Sequence, residues 1–360
     1  MAVLASVGLL ALGSLSLVEP VAPPNLPAAA SVVDIHVHIA GLGTGCAECF
    51  VSDDLVGSYK FAWYLGAFGT SAAEMEARGD VIVIEHLLER MRASRWVKRA
   101  VVLALDGVIG ADGEFDRPAT QVYVPNEYVR NLARRHDEIL FGASINPYRS
   151  DALARLDQVK REGAVLVKWI PAIMAIDPAD AALDTFYARL VALRLPLLVH
   201  VGAENAFRGA DDRLGDPLRL LRALEAGVTV IAAHLATTGK NGGEENFARL
   251  LPLFERYPNL YTDQSSLTQI NKLGYLVRAL AYPGVPSRLL HGSDWPLQFF
   301  PLVHPYWHIG RAPLAGLRYA ATLENPFDRD IATKAAMGVP AAAFTRSGRV
   351  LGIDAGSDSK

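Results

Sequence analysis

Two histidines, His36 and His38, stand two positions apart in the apolar segment VVDIHVHI, residues 32–39. Side chains at i and i+2 of a strand lie on the same face, so both imidazoles and the carboxylate of Asp34 are predicted on one surface. Two neutral imidazoles from one strand supply half of the ligand shell of a divalent metal such as zinc. Such a pair also arises by chance, and two buried histidines satisfied by hydrogen bonds are the alternative.

Further residues capable of metal binding or proton transfer stand at or near the ends of other apolar runs. They are Lys168 in LVKWIP, His200 in LLVHVG, His234 in IAAHLA and Asp294 in HGSDWP. Eight apolar runs alternate with amphipathic stretches, the pattern of repeated βα units around a parallel sheet. The runs begin at residues 32, 99, 139, 164, 195, 228, 259 and 288. Four of the intervening segments predict helices: DALARLDQVKREG, DTFYARLVALR, DPLRLLRALEAG and FARLLPLFERYP.

Eight βα units predict an α/β protein with a single-domain (β/α)8 TIM barrel over residues 31–345. In such a barrel the catalytic groups lie at the carboxyl ends of the strands, which is where the polar residues collect. Two open-sheet domains are the alternative. Residues of the first and last strands, such as His36 and Asp294, meet only if the sheet closes, so the distribution of candidates favours the barrel. Residues 346–360 are predicted as a C-terminal tail.

These residues, in this order over roughly residues 32–345, resemble the amidohydrolase superfamily and in particular its amidohydrolase-related branch. The resemblance implies a metal-dependent (β/α)8 barrel that hydrolyses a small amide, ester or lactone. Some members are non-oxidative decarboxylases or hydratases, so a one-metal decarboxylase of an aromatic or unsaturated acid is the alternative function. A non-catalytic metal-binding barrel is the second alternative.

The resemblance also implies a set of metal ligands at the rim of the barrel: His36, His38, Lys168, His200, His234 and Asp294. It assigns His36, His38 and Asp294 to one divalent ion, with zinc expected and manganese open, and leaves His200 and His234 available to a second ion. In a two-metal member Lys168 would be carboxylated and bridge the ions; whether there are one or two ions stays open. The ions lower the pKa of bound water and polarise a carbonyl. Asp294 would transfer the proton, and His234 would be a ligand or the catalytic group of a one-metal member.

Structural interpretations of two of these residues remain open. Asp294 in GSDWP could cap the amino terminus of a last helix. Lys168 could extend to solvent at the rim or pair with a substrate carboxylate. His291 stands three residues before Asp294, so it is predicted on the opposite face, in a structural role.

Two long connections are candidates for the substrate pocket. The first follows the strand at residue 32 and contains the aromatic stretch YKFAWYLGAFG, and the second, LQFFPLVHPYWHIGR, follows the last strand. Their aromatic residues would line an apolar pocket or pack against the outer helices. In the second connection, His304, His308 and Arg311 are predicted to bind a substrate carboxylate.

Composition and charge narrow the partners to a small-molecule substrate. The net charge is −3 and the basic residues are scattered, so no nucleic-acid partner is expected. The densest basic run, RMRASRWVKRA, places Arg92, Arg95 and Arg99 near helical spacing and predicts a solvated helix face. The sequence leaves a homo-oligomer open.

Residues 1–30 predict an apolar N-terminal segment and a Pro/Ala linker. The segment carries no charge before Glu19, which is typical of a signal peptide or a short membrane anchor, although the basic start of a signal peptide is missing. We expect export to the periplasm or tethering to a membrane, with a cytoplasmic protein as the alternative. Cys46 and Cys49 in GCAEC are too few for a four-thiolate zinc site; they form a local disulfide, remain thiols or serve the nearby site.

Overall fold

The computed structural model describes residues 18–353, and its centre is a sheet of eight parallel strands that follow one another in chain order. The strands are β1 (Val32–His38), β2 (Val97–Leu103), β3 (Ile139–Ala143), β4 (Leu166–Trp169), β5 (Leu197–Val199), β6 (Val230–Ala232), β7 (Leu260–Asp263) and β8 (Leu289–Leu290). Each of the eight lies within or beside one of the predicted apolar runs. The segment after β8 returns to β1: the amide of His38 donates to the carbonyl of Trp295 at 3.0 Å, and the amide of Asp294 donates to the carbonyl of His36 at 2.9 Å. The sheet is therefore nearly closed as a barrel, which confirms the predicted TIM-barrel class.

Helices cover the outside of this barrel. The α-helices span Asp53–Val56, Tyr59–Phe68, Ala72–Arg78, Val81–Arg92, Asn126–Arg135, Ala152–Arg161, Pro171–Met174, Asp184–Leu193, Leu221–Glu225, Asn246–Leu250, Leu253–Arg256, Tyr275–Leu280, Val285–Arg288, Leu314–Ala321, Pro326–Ala336, Ala341–Thr345 and Ser347–Val350. Short 3-10 helices span Ala181–Leu183, Asp212–Gly215, Pro217–Leu220, Ala233–Ala236, Ile270–Lys272 and Pro305–His308. Two small antiparallel sheets pair Phe50–Val51 with Val122–Tyr123 and Lys240–Asn241 with Glu244–Glu245.

Two apolar layers hold the strands in place. The inner layer fills the barrel with side chains from most of the strands: Ile35, Val101, Leu103, Leu166, Leu198, Ile231 and Leu290. Leu351, inside the predicted tail, also packs against this inner layer. The larger outer layer lies between the strands and the helices. Because the inner layer is apolar, the polar groups of the barrel collect at the strand ends.

The prediction that Asp34 shares one strand face with His36 and His38 is wrong. The pairing of β1 with β2 shifts register between Asp34 and Val37, which breaks the simple alternation of faces. Asp34 is fully buried and its Oδ1 accepts hydrogen bonds from the amides of His36 and Ser293, at 3.0 and 2.9 Å. Its Oδ2 lies 4.0 Å from Nε2 of His291, so Asp34 packs beside the predicted structural histidine.

The helical interpretation of the basic run is also wrong. The helix Val81–Arg92 ends at Arg92, and β2 begins at Val97. Arg95 lies in the connection and donates to the hydroxyl of Tyr319, while Arg99 lies on β2. After Arg92 the chain is held in a bend, because the amide of Arg95 donates to Asp328 at 3.0 Å and the amides of Trp96 and Val97 donate to the hydroxyl of Ser94.

The N-terminal region is described only from residue 18, so most of the predicted signal or anchor lies outside the described residues. The linker packs against the C-terminal helices: the amide of Val21 donates to the carbonyl of Ala315 at 3.1 Å. Within residues 18–353, no helix combines the length and the apolar character that crossing a membrane requires. Cys46 and Cys49 form a disulfide, which is one of the three alternatives left open by the sequence.

Candidate metal centre

The six predicted rim residues all lie at the carboxyl ends of barrel strands. His36 and His38 close β1, and Lys168 lies in β4. His200 directly follows β5. His234 follows β6, in the 3-10 turn Ala233–Ala236, and Asp294 follows β8. His36, His38, Lys168 and Asp294 contact one another, and so do His200 and His234. The stacked rings of His36 and His234, with centroids 6.3 Å apart, connect the two groups.

Three of these side chains present their ligand atoms to a common point. The Nε2 atoms of His36 and His38 are 3.1 Å apart, and each lies 3.5 Å from Oδ1 of Asp294. The three ligand atoms all lie within 4.8 Å of one another. Burial lowers the pKa of His38 to about 4, so its ring is neutral and can offer a lone pair. These three ligand atoms could hold a divalent cation.

Asp263, at the end of β7, orients the first of these ligands. Its Oδ2 lies 2.8 Å from Nδ1 of His36, and its Oδ1 accepts from the amide of His234 at 2.8 Å. Ser265 adds two further bonds to Oδ1, from its amide and its hydroxyl. Burial alone would raise the pKa of Asp263, but His36 and these hydrogen bonds lower it to about 2. A carboxylate on Nδ1–H fixes the tautomer that leaves Nε2 of His36 free for a metal.

Asp294 is held in an unusual backbone conformation with its carboxylate in the cluster. Its φ is 67°, in the left-handed region that side-chain-bearing residues rarely adopt. The hydroxyl of Ser266, itself at φ 58°, donates to Oδ2 of Asp294. Burial would raise the pKa of Asp294, but His36 and His38 lower it well below its usual range. The first helical turn after Asp294 begins at Pro305, so a helix-capping role does not apply.

His200 and His234 form a second histidine pair at the same rim. Nδ1 of His200 lies 3.1 Å from Nε2 of His234. His234 has a φ of 40°, in the left-handed region. The hydrogen bond from its backbone amide to Oδ1 of Asp263 stabilises this strained turn. Burial lowers the pKa of both rings well below the usual range, so both are neutral. They are therefore available as ligands or as proton acceptors.

Lys168 and Glu204 each contact one histidine of the cluster. Lys168 is 1% exposed, and its Nζ lies 3.0 Å from Nε2 of His36. The side chain therefore points into the cluster and does not extend to solvent. Burial lowers the pKa of Lys168 to about 8, which favours the neutral amine that carboxylation requires. Glu204, whose pKa burial raises to about 7, lies 3.5 Å from Nδ1 of His200.

The chemistry of these side chains fits a divalent cation. Three ligand atoms converge, and Asp263 holds Nδ1 of one of these histidines, His36. Among residues 18–353, Nε2 of His200 and Nδ1 of His234 are buried and find no hydrogen-bond partner. Imidazole and carboxylate together are typical ligands of zinc and of manganese. His36, His38 and Asp294 would hold one ion, and the second histidine pair borders it.

The predicted substrate residues lie on the connection after β8, outside these contacts. His308 is buried and donates from Nε2 to the carbonyl of Thr268 at 3.1 Å. His304 accepts the amide of Tyr306 through Nδ1 at 3.2 Å, and Arg311 is exposed. Within residues 18–353, no hydrogen bond or ion pair connects these three to the metal cluster. Their role in binding a carboxylate stays a prediction.

The aromatic residues of the two long connections divide between the core and the surface. Trp295 is buried and stacks on Phe327 of an outer helix at 5.1 Å. Trp63 and Phe300 are 60% and 69% exposed. Trp295 therefore packs against an outer helix, which is one of the two alternatives that the sequence left open.

Sequence reasoning missed Asp263, Glu204, Ser266 and Lys272. Asp263 ends the apolar run NLYTD, so the strand-end rule that selected the other candidates would have selected it too. Glu204, Ser266 and Lys272 lie on the connections that follow barrel strands, Lys272 in the short 3-10 helix Ile270–Lys272, where residue type does not predict the direction of a side chain. Lys272 is 8% exposed, and its charge lowers the pKa of both His200 and His234.

A family model described as amidohydrolase matches residues 33–326. An uncharacterised TIM-barrel protein from Bordetella bronchiseptica is 18% identical, with a TM-score of 0.56 over 89% of this chain and 99% of its own. A provisionally assigned 2-pyrone-4,6-dicarboxylic acid hydrolase from Acinetobacter baumannii, solved with citric acid bound, is 11% identical, with a TM-score of 0.51 over 89% of this chain and 99% of its own. These similarities concern the fold. None of the curated proteins matches the chain.

Proposed function

We propose, from the premise that the chain belongs to the amidohydrolase family, that it is a metal-dependent hydrolase of a small amide, ester or lactone. The observation that carries this proposal is the convergence of His36, His38 and Asp294, whose ligand atoms lie within 4.8 Å of one another. Lys168, His200 and His234 border that point, which supports a site that binds a metal and moves protons.

A divalent cation, when bound, lowers the pKa of water toward neutrality and polarises the scissile carbonyl. Asp294 is the residue suited to receive the proton of the attacking water. Its pKa is held well below the usual range by His36 and His38, so the carboxylate is ionised, and Ser266 donates to Oδ2. Oδ1, which lies 3.5 Å from Nε2 of both His36 and His38, faces the cluster, and it would accept the proton and return it to the leaving group.

Asp263 and His234 act around this proton transfer. Asp263 holds Nδ1–H of His36 and the amide of His234, which fixes both imidazoles relative to each other. His234 is neutral because burial lowers its pKa, so its ring accepts a hydrogen bond from substrate or water. In a two-ion arrangement His200 and His234 would be the second pair of ligands and Lys168, as its carbamate, the bridge.

The experiment that tests this function compares His36→Ala with His136→Ala. His136 follows the helix Asn126–Arg135 and precedes β3, at the end of the barrel away from the cluster, so its loss is a matched removal of an imidazole. We expect zinc content and hydrolysis of an ester, lactone and amide panel to disappear in His36→Ala and to persist in His136→Ala. Full activity in His36→Ala, or in wild-type protein stripped of metal, would exclude the proposal.

A one-metal decarboxylase is the second candidate, because in the part of the chain that the structure describes the compact ligand set consists of three residues, His36, His38 and Asp294. Nε2 of His234 contacts Nδ1 of His200 at 3.1 Å, but within residues 18–353 Nδ1 of His234 has no hydrogen-bond partner, so that nitrogen is available for a catalytic role in a one-metal arrangement. Carbon dioxide release from a panel of aromatic and unsaturated acids, without release from wild-type protein stripped of metal, would favour it. Tight metal binding with no turnover in either panel would favour the non-catalytic barrel.

A further inference from the structure

We propose that Lys334 and Asp330, a buried ion pair on an outer helix, are positioning residues that keep Asp294 in place as a metal ligand. They act through backbone and hydroxyl groups of two turns at the rim, one after β7 and one after β8. The inference deepens the proposed function and rests on it only in that His36, His38 and Asp294 hold an ion.

The turns after β7 and β8 both contain a residue in a conformation that needs support. Asp294 has a φ of 67° and Ser266 a φ of 58°, and such residues persist only where the surrounding structure determines their conformation. The two turns contact each other, since the amide of Ser266 donates to the carbonyl of Ser293 at 3.4 Å and its hydroxyl donates to Oδ2 of Asp294. Their position in the barrel therefore depends on contacts from outside both turns. Asp34 supplies one of these, because its Oδ1 accepts the amide of Ser293 at 2.9 Å.

The basic partner of the buried ion pair holds the turn after β8. Lys334 and Asp330 stand one helical turn apart on the outer helix Pro326–Ala336, 0% and 1% exposed, with Nζ 2.5 Å from Oδ2. The same Nζ donates to the carbonyl of Gly292 at 2.9 Å. Gly292 stands two residues before Asp294, so the ammonium group fixes the backbone from which the metal ligand projects.

The acidic partner holds the turn after β7. Oδ1 of Asp330 accepts the hydroxyl of Thr268 at 2.7 Å, and Thr268 stands two residues after Ser266. The carbonyl of Thr268 accepts a further bond from Nε2 of His308 at 3.1 Å, so both its side chain and its backbone are fixed. One ion pair on one helix thus holds the turn that carries Asp294 and the turn whose serine donates to it.

The turn after β8 has little room to move without displacing a ligand. A Cβ atom at Gly292 would lie 2.9 Å from Cβ of His36 and 3.3 Å from Oδ2 of Asp263, so the backbone of Gly292 packs directly on these two side chains. The same Oδ2 of Asp263 holds Nδ1 of His36. A shift of Gly292, caused by loss of the bond from Lys334, would therefore move Asp294 relative to the histidine ligands.

Stability alone does not account for an ion pair at this place. A buried ion pair can often be replaced by apolar residues without loss of stability, because desolvation of the charges offsets their attraction. The neighbours of Lys334 and Asp330 on the helix, such as Ile331 and Ala335, are buried and apolar, so apolar side chains suit both positions. Apolar side chains would not supply the directional hydrogen bonds to the two turns.

The test separates positioning from stability with two variants of the pair. Lys334→Met leaves a buried carboxylate without its partner, whereas Lys334→Met combined with Asp330→Leu removes both charges, so this double variant should be the more stable of the two in urea. We expect both variants to lose about 10- to 100-fold in zinc affinity, measured by competition with a chelator, because both lose the bond to the carbonyl of Gly292. Recovery of zinc affinity together with stability in the double variant would show a purely structural role and would overturn the inference.

Arg130→Met combined with Glu162→Leu is the matched control, because it also removes an ion pair from the outer helices. Nη1 of Arg130 lies 2.7 Å from Oε1 of Glu162, and the pair joins the helix Asn126–Arg135 to the residue that follows the helix Ala152–Arg161. We expect zinc affinity within about 2-fold of wild type in this control. A loss equal to that of the Lys334 and Asp330 variants would mean a general effect of removed charges and would also overturn the inference.

Thr268→Val tests the acidic half of the pair with a small change that keeps both charges. It removes only the hydroxyl that donates to Asp330, and we expect about a 3- to 10-fold loss of zinc affinity. Wild-type affinity in Thr268→Val would overturn the role of Asp330.

A crystal structure of the metal-free double variant, compared with metal-free wild type, tests the inference without an ion. In wild type, Oδ1 of Asp294 lies 3.5 Å from Nε2 of both His36 and His38. We expect this oxygen to be displaced by about 1 Å or more in the double variant, which is enough to spoil a ligand position. An unchanged position of Asp294 would overturn the inference.

The two proposals fail in different ways. If wild-type protein hydrolyses nothing but Asp294 is displaced in the double variant, the positioning role stands and the hydrolase proposal fails. If hydrolysis depends on metal but the double variant keeps both the position of Asp294 and wild-type zinc affinity, the hydrolase stands and the positioning role fails.

Discussion

Replacing Asp263 by asparagine perturbs the metal centre without touching a metal ligand. The three bonds to Oδ1, from the amide of His234 and from Ser265, are compatible with an amide oxygen. At Oδ2, however, an NH2 group would face Nδ1 of His36 across 2.8 Å. That contact is favourable only if Nδ1 accepts, and the neutral ring then carries its proton on Nε2, the atom that faces His38 and Asp294.

Asp263→Asn therefore selects the tautomer that cannot bind metal. Loss of such a supporting group typically costs about 10- to 100-fold in metal affinity, or about 1.4–2.7 kcal/mol. Since three of the four hydrogen bonds remain, we expect the variant to unfold cooperatively, with a free energy of unfolding lower by only about 1 kcal/mol.

The assay is a competition titration of zinc between the protein and a chelator of known affinity. Asp328→Asn is the control, because Asp328 is also buried and accepts bonds from the hydroxyl of Ser94 at 2.6 Å and the amide of Arg95 at 3.0 Å, away from the cluster. We expect zinc affinity to fall in Asp263→Asn and to stay within about 2-fold of wild type in Asp328→Asn. Wild-type affinity in Asp263→Asn would refute the tautomer reasoning.

Three further predictions concern the metal count and the stability of the scaffold. Lys168→Ala should reduce bound zinc from two equivalents to one if a carbamate bridges two ions, as metal analysis measures. One equivalent in both wild type and variant would instead indicate a one-metal site, and two equivalents in both would contradict the carbamate bridge. Lys334→Met breaks a fully buried ion pair, in which Nζ of Lys334 lies 2.5 Å from Oδ2 of Asp330. The free energy of unfolding, measured in urea, should fall by about 3–5 kcal/mol, because an unpaired carboxylate stays buried. A change below about 1 kcal/mol would contradict the importance of this pair. Replacing Cys46 and Cys49 together by alanine should lower the free energy of unfolding by about 2 kcal/mol, since the disulfide closes a short loop, while zinc affinity stays constant; a large loss of zinc affinity would show that the loop supports the metal centre.

The fold could be predicted from the sequence because parallel strands buried on both faces are continuous apolar runs. Each run is a local signal, and the strand-end rule then places His36 and Asp294 at one rim although 258 positions separate them in the chain. Closure of the barrel between its first and last strands is predicted because these two residues must meet. In the structure, the segment after β8 closes on β1 through the hydrogen bond from the amide of Asp294 to the carbonyl of His36.

The details of side-chain direction could not be predicted. The register shift in β1 turns Asp34 away from the histidines, and it depends on pairing with β2, not on the local pattern. Glu204 lies on a connection whose path is set by tertiary contacts, such as the hydrogen bond from Nζ of Lys60 to the carbonyl of Asn205. The left-handed turn at His234 likewise depends on Asp263, a residue on another strand.

Anomalous diffraction from crystals soaked in zinc tests the central claim most directly, because it locates the ion without reference to activity. We predict an anomalous peak within about 2.0–2.1 Å of Nε2 of both His36 and His38, next to Oδ1 of Asp294. A zinc-saturated crystal with no peak between these three side chains would contradict the account of this rim as a metal centre.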